Sequence, residues 1–245
     1  MSGLSFPQML GAIFKGDHAA FADKLTLEDP EAKTIPAEDL LSDGVLAPIM
    51  TRFAQDRPGG DPRAIASVWS KHYFSVLILP VVAVTLVFRH QLPVALKDIK
   101  VLTAENGGIR AILLPDGGKA LASDDPYIAF RTMIRENLAP FITQLAQRYR
   151  VSPKVLWSNA GASLELVFRE IGDRTPGLGG WEQAILGVRE WPDGWPNPLY
   201  QPIRYLDIGA PKRRRERRVC CIRYLIPETP YCATCPLPQA KTGTS

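Results

Sequence analysis

All four cysteines of this 245-residue chain fall within the sixteen positions from Cys220 to Cys235, in the pattern Cys-Cys-x10-Cys-x2-Cys. No cysteine is left elsewhere to pair with them, so this part of the chain must fold around whatever its thiols bind. Four thiolates satisfy a [2Fe–2S] cluster, two for each iron. They also satisfy one tetrahedral zinc ion, although zinc sites usually present two Cys-x2–4-Cys pairs and here only Cys232 and Cys235 have that spacing. Adjacent residues of an extended strand point to opposite faces, so Cys220 and Cys221 reach one metal centre only across a local kink. Cluster, zinc site and regulatory dithiol all remain open on spacing alone. Pro227, Pro230, Pro236 and Pro238 stiffen the segment and leave its other amides free to bond sulfur.

Upstream, the periodicity is mostly helical. Residues 1–43 read as one or two short helices and loops. Val45, Leu46, Ile49, Met50 and Phe53 give helical spacing over Gly44–Gln55, ended by Arg57-Pro58-Gly59-Gly60. Asp61 as N-cap and Pro62 in the first turn start a helix that becomes apolar nearly all round after Tyr73, with a kink expected near Pro80. Its most apolar run, Val76–Phe88, is short for a bilayer span, which favours a buried core helix. Ile99–Leu102 and Ile109–Leu114 flank Glu105-Asn106-Gly107-Gly108 and predict a hairpin. Ser123 or Asp124 should open a long helix to about Arg150, restarted at Pro140, and Ser152-Pro153 another to about Ile171. Gly172–Gly180 reads as a loop, Trp181–Glu190 as a short helix, Trp191–Pro202 as an irregular connector and Ile203–Ile208 as a strand.

The expected fold class is α+β: a mainly helical body with a small antiparallel sheet and a C-terminal iron–sulfur loop module. The expected organisation is a helical and loop segment over 1–60, the body with its hairpin over 61–210, and a basic arm with the cluster module over 211–245.

The formal net charge of +4 is uneven. Lys212, Arg213, Arg214, Arg215, Arg217 and Arg218 with Glu216 contribute +5, so subtracting them from +4 leaves the rest of the chain near −1. That excludes a general nucleic-acid surface, and no nucleic-acid partner is expected. The run reads either as a dock for an anionic partner or as a solvated charge run. Met1–Phe21 shows no secretory pattern, so a cytoplasmic protein without a transmembrane segment is expected, a reading that leaves room for peripheral membrane contact. His18, His72 and His90 are too scattered to suggest ligation, and the five tryptophans and Asn159 read first as packing residues. Gly177-Leu178-Gly179-Gly180 lacks the context of a phosphate loop, so flavin or nicotinamide binding is unsupported.

The block Arg217-Arg218-Val219-Cys220-Cys221-Ile222-Arg223-Tyr224, then Pro227, then Cys232-Ala233-Thr234-Cys235-Pro236-Leu237, resembles the C-terminal signature of FhuF-type ferric siderophore reductases. Trp69-Ser70-Lys71-His72-Tyr73-Phe74 and Val155-Leu156-Trp157-Ser158-Asn159-Ala160 are similar to more loosely shared stretches of that family. The resemblance covers about residues 60–238 and is specific only in the cysteine block. It implies a [2Fe–2S] cluster on Cys220, Cys221, Cys232 and Cys235 and one-electron reduction of Fe(III) in a siderophore of the hydroxamate class. It also implies a reduced electron donor, for which a ferredoxin-like protein fits. Two alternatives from other classes are an iron–sulfur protein that senses iron or redox state without turnover, and a zinc-stabilised interaction module.

Overall fold

In the computed structural model, residues 4–27, 33–172, 180–209 and 211–238 are described. The organising element is a helix whose start is written in three residues. Asp61 accepts from the Arg63 amide at 2.8 Å, Pro62 occupies the first turn, and the guanidinium of Arg63 folds back on the same carboxylate.

The chain begins with helix α1 (Phe6–Ile13), a 3-10 turn (Gly16–Phe21) and two short strands, β1 (Leu25–Leu27) and β2 (Ile35–Pro36). Helices α2 (Ala37–Leu40) and α3 (Asp43–Gln55) lead into α4 (Pro62–Phe88), which runs on through Pro80. Next come β3 (His90–Gln91), β4 (Lys100–Thr103), β5 (Ile109–Leu114) and β6 (Lys119–Ala120). Helix α5 (Pro126–Arg131), a π-helical segment (Thr132–Leu138), α6 (Ala139–Tyr149), α7 (Pro153–Gly172) and α8 (Trp181–Leu186) complete the body. The hairpin β7 (Ile203–Asp207) and β8 (Arg213–Arg217) follows, and then the cysteine segment, whose regular structure is one 3-10 turn at Arg223–Leu225.

The hairpin foreseen around Glu105–Gly108 is β4–β5, with Lys100 opposite Leu113 and Val101 opposite Ile112. Gly107 is needed there. Its φ is +79°, and a Cβ would sit 2.3 Å from the Ile49 carbonyl. The sheet is larger than the sequence suggested, in the order β1-β5-β4-β2, because β1 joins β5 in parallel and β2 pairs with β4. Strands of two or three residues carry too little alternation to be seen beforehand.

Three expectations shift. The N-cap of the helix after the hairpin is Asp125, which accepts from the amides of Tyr127 and Ile128, rather than Ser123 or Asp124. Helix α8 stops at Leu186, with Gly187 as its C-cap, four residues before Glu190. The basic run is a strand, β8, in register with β7. The loop expected at Gly172–Gly180 falls almost wholly outside the described residues.

Helix α4 is buried on every face. Ala64, Trp69, Tyr73, Phe74, Leu77 and Ile78 are among its residues with no exposure. Among the described residues it is the helix long and apolar enough to cross a membrane, and 67% of its most apolar window lies inside the fold, as in a core helix. It packs along α7, and its aromatic face stacks on α6, where the Tyr73 and Phe141 rings lie 3.9 Å apart. Burying a ring of that size is worth about 1.5–3 kcal/mol. The Tyr73 hydroxyl donates to Asn137 of the π-helical segment, whose amide in turn donates to the Val94 carbonyl. Phe6 and Leu10 of α1 belong to this same core. The body therefore holds a rigid α4–α7 pair, across whose N-terminal halves the cysteine segment is laid.

Candidate metal centre

Two stripes of small polar residues interrupt the apolar faces where α4 meets α7. On α4 they are Ser67, Ser70 and Lys71, at helical spacing, and on α7 they are Ser158 and Asn159. The Asn159 amide donates to the Ser67 carbonyl and hydroxyl at 3.0 Å and to the Ser70 hydroxyl at 3.2 Å. Its oxygen accepts from the Arg217 guanidinium at 2.6 Å, and Ser158 Oγ lies 3.1 Å from the same group. Asn159 is thus a buried junction between two helices and β8, a more specific task than packing.

This junction carries the cysteine segment. Ser67 donates to the Cys221 carbonyl at 2.8 Å, and Ser158 to the Val219 carbonyl at 3.3 Å. The Arg217 amide donates to the Thr234 carbonyl at 2.9 Å, which ties the Cys232–Cys235 turn to the end of β8. The Asp61 amide donates to the Leu225 carbonyl, closing the segment over the start of α4.

The kink required by the cysteine doublet is present. Ile222 has φ +54°, in the left-handed region, and its amide donates to Cys220 Sγ at 3.3 Å. Cys232 and Cys235 sit on a tight turn closed by the Cys235 amide on the Cys232 carbonyl at 2.9 Å. Cys221 and Cys235 are buried; Cys220 and Cys232 are half-buried. Two of the sulfurs form a close pair. Cys221 and Cys232 are 3.8 Å apart, and Cys220 and Cys235 lie in the same segment beside them. A separation near 3.8 Å is the edge of a tetrahedron with metal–sulfur bonds of about 2.3 Å. Among the described residues no three Cys, His, Asp or Glu side chains converge on one point as a single-ion site requires. One close pair with two further thiols in the same segment is a donor set that a dinuclear cluster can use.

The electrostatics favour a thiolate at Cys221. The Cys221 thiol is drawn down to about 4, chiefly by the hydrogen bond from the Cys232 thiol, with the charges of Lys71 and Arg217 adding to the effect. Its partner Cys232 is pushed upward by the same bond. Burial pushes Cys220 up. Arg217 is 3% exposed, and among the described residues its Nε has no hydrogen-bond partner. Burial lowers its pKa, while attraction to Cys221, Cys232 and Cys220 works the other way. An unpaired N–H on a buried guanidinium beside three of the thiols fits a group that brings sulfur acceptors and negative charge, as a [2Fe–2S] cluster does.

A cleft of about 630 Å³ opens beside Cys232, walled by α4, α7 and the cysteine segment. Lys71, Arg217, Arg57, Arg223 and His72 line it. Burial, with Arg57, Lys24 and Lys71 nearby, holds the imidazole of His72 below its usual range. His72 sits edge-on to Phe53, and the His90 ring bonds the Gly117 carbonyl at 2.7 Å, so neither lies among the cysteines; the His18 side chain is outside the described set. Sequence reasoning passed over Ser67 and named Ser70, Lys71 and Ser158 only as members of the loosely shared stretches, with no role of their own. The available signal was a polar stripe at i, i+3 and i+4 on a helix otherwise apolar all round.

Residues 67–211 match the protein family described as ferric iron reductase FhuF-like transporter, and residues 217–237 match the FhuF 2Fe-2S C-terminal domain. The chain is also similar to a curated protein of Escherichia coli (strain K12) described as ferric siderophore reductase. The two are 22% identical over 180 residues, covering 71% of this chain and 66% of that protein, just under two thirds of its length.

Proposed function

Because the chain belongs to the FhuF-like ferric iron reductase family, we propose that it is a cytosolic ferric-siderophore reductase that acts on Fe(III) held by a hydroxamate siderophore. Residues 217–237 are its [2Fe–2S] domain. Cys220, Cys221, Cys232 and Cys235 would hold the cluster in this proposal, with Cys221 and Cys232 already at the separation that two thiolates on one metal take. The observation that carries the proposal is Cys232, paired with Cys221, standing at the wall of a cleft large enough for a small chelate.

When bound, such a cluster supplies single electrons at a potential set by its surroundings. The protein's own groups do the rest. Lys71 and Arg217 offset the negative charge of the thiolates, and the Ile222 amide bonds Cys220. Cys232, half-buried in the cleft wall, lets a chelate approach a ligand directly. Oxygen anions grip Fe(III) far more strongly than Fe(II), because the charge on the metal is smaller, so reduction releases the ion. The reaction requires no acid, base or nucleophile from the protein. Electrons enter from a reduced partner, for which a ferredoxin-like protein fits.

The test uses anaerobically prepared protein, expected to be red-brown with equal amounts of iron and acid-labile sulfide. After dithionite reduction and removal of excess reductant, ferric hydroxamates should reoxidise it, and a ferrous trap should collect one Fe(II) for each electron lost. Cys232→Ser should abolish the colour and the reaction while far-UV circular dichroism shows the helical body intact. Persistence of the reduced spectrum with a panel of ferric siderophores and a trap present would replace this proposal with the sensor reading. A colourless protein with stoichiometric zinc would end both.

A further inference from the structure

We propose that the cleft beside Cys232 is built for ferric chelates with net negative charge, and that Arg57 and Arg223 at its outer wall grip a carboxylate of the chelate. This rests on the reductase reading and names the class of substrate it would take.

The cations of the cleft form two tiers. The inner tier, Lys71 and Arg217, lies against the cysteines and serves their charge. Arg57 and Arg223 form the outer tier. They come from two adjoining segments, the loop before α4 and the 3-10 turn after the cysteine doublet, which the Asp61 amide joins by donating to the Leu225 carbonyl, and both are half-buried. Each is close enough that the charge of Arg223 acts unfavourably on Arg57. Among the described residues lining the cleft, Asp56 is the one acid. Arg57 gives one guanidinium nitrogen to the Phe53 carbonyl and lies over the Phe53 ring at 3.8 Å, which fixes its plane without neutralising it. Among the described residues Arg223 has no carboxylate within ion-pair distance. Elsewhere in this chain half-buried guanidinium groups are matched with carboxylates, as Arg215 is with Glu165. Asp56 offsets part of the charge on Arg57, but the cleft still gathers Arg57, Arg223, Lys71 and Arg217 against that one carboxylate among its described lining residues, an excess an entering anion would relieve.

The shape of the site selects among anions. A concave space of about 630 Å³ suits a small chelate better than the surface of a protein partner. Paired guanidinium planes suit a carboxylate, which accepts two parallel hydrogen bonds. A ferric core of three hydroxamates is neutral, since each hydroxamate carries one negative charge. A core in which a hydroxycarboxylate replaces a hydroxamate, or which bears a free carboxylate, keeps negative charge for the outer arginines to meet.

Gallium(III) separates binding from electron transfer, because it has the charge and nearly the size of Fe(III) but is not reduced by the protein. Affinities of the oxidised holoprotein for two gallium chelates of similar size should be measured by tryptophan fluorescence at low salt. One chelate is a neutral tris-hydroxamate, the other an anionic citrate bis-hydroxamate. The anionic chelate should bind about tenfold more tightly, a preference that shrinks as ionic strength rises. Arg57→Gln with Arg223→Gln should bring the ratio near unity while the visible spectrum stays unchanged. Should that double variant lose its cluster, Arg57→Gln alone, far from the cysteines in sequence, should still cut the preference to about threefold. Equal affinity of the parent for both chelates, or an undiminished preference in either variant, overturns the inference. If ferric chelates reoxidise the reduced protein regardless of their charge, this inference alone falls. If no gallium chelate binds and no ferric chelate reoxidises it, the reductase reading falls as well.

Discussion

The chain has two cationic regions, and they are built in opposite ways. Strand β8 holds the charge that is conspicuous in the sequence, but its arginines are largely spent inside the fold. Arg213 pairs with Asp207 at 3.1 Å, Arg214 with Glu216 at 3.0 Å, and Arg215 with Glu165, 50 residues away. Glu216 also takes Arg204 from across the hairpin, and Glu165 accepts from the Tyr205 hydroxyl. Arg217 points into the junction at Asn159, and Arg218 donates to Gln201 at 2.7 Å. The cleft draws Arg57, Lys71, Arg217 and Arg223 from distant parts of the sequence, with little opposing charge of its own. A run of like charge in a sequence therefore measures density and not availability. The strand uses its arginines to fasten a hairpin onto α7, while the cleft keeps its cations for the cysteines and for whatever enters.

The contrast predicts that charge changes in the hairpin alter stability and that changes in the cleft alter binding and redox behaviour. The largest effect should come from Glu165→Gln. This carboxylate is 3% exposed and anchors Arg215. Removing its charge leaves a mostly buried guanidinium unmatched, at a cost of about 3 kcal/mol in urea unfolding. Glu216→Gln should cost less, about 2 kcal/mol, because Arg204 and Arg214 are each about a third or more exposed and can rehydrate. Unfolding midpoints unmoved by either change would break the comparison.

Arg217 tests the other side. Arg217→Gln removes a positive charge beside the sulfurs, which favours the oxidised state, so the reduction potential should fall. By spectroelectrochemistry the shift should be about 60 mV for each 1.4 kcal/mol of lost interaction. Arg217→Lys keeps the charge and loses the fork that reaches Ser158 and Asn159, so the potential should recover while stability does not. Equal potentials for all three proteins would mean that Arg217 is structural only. Arg213→Ser should have the smallest effect. Arg213 and Asp207 are 69% and 82% exposed, so stability should change by less than about 0.5 kcal/mol and chelate reduction not at all. A marked loss of turnover at low salt in this variant would restore the docking role to the strand.

Parts of the fold could be read without coordinates because their causes are local. Asp61 caps α4 through an amide two residues on, and Gly107 turns the hairpin within its own loop. The helices of the body repeat their apolar residues often enough to be recognised. The parallel strand β1 escaped because three residues show no pattern, and the π-helical segment before α6 because its cause is tertiary. Asn137 is held there by Tyr73, 64 residues earlier, and by the Val94 carbonyl. The pairing of β8 with β7 escaped for a similar reason. A run of arginines reads as solvent-seeking until Glu165 and Glu216 are found beneath it.

By itself the sequence determined the set of thiols, the turn that joins two of them and the need for a kink beside the other two. Those follow from residue type and from spacing over a few bonds. Tertiary structure alone decided which sulfurs stand together, which arginines are neutralised and which remain to face a ligand. Hydrogen bonds and ion pairs act over a few ångströms of space, and the residues they join here, Arg215 with Glu165 or Arg217 with Asn159, lie 50 and 58 positions apart along the chain.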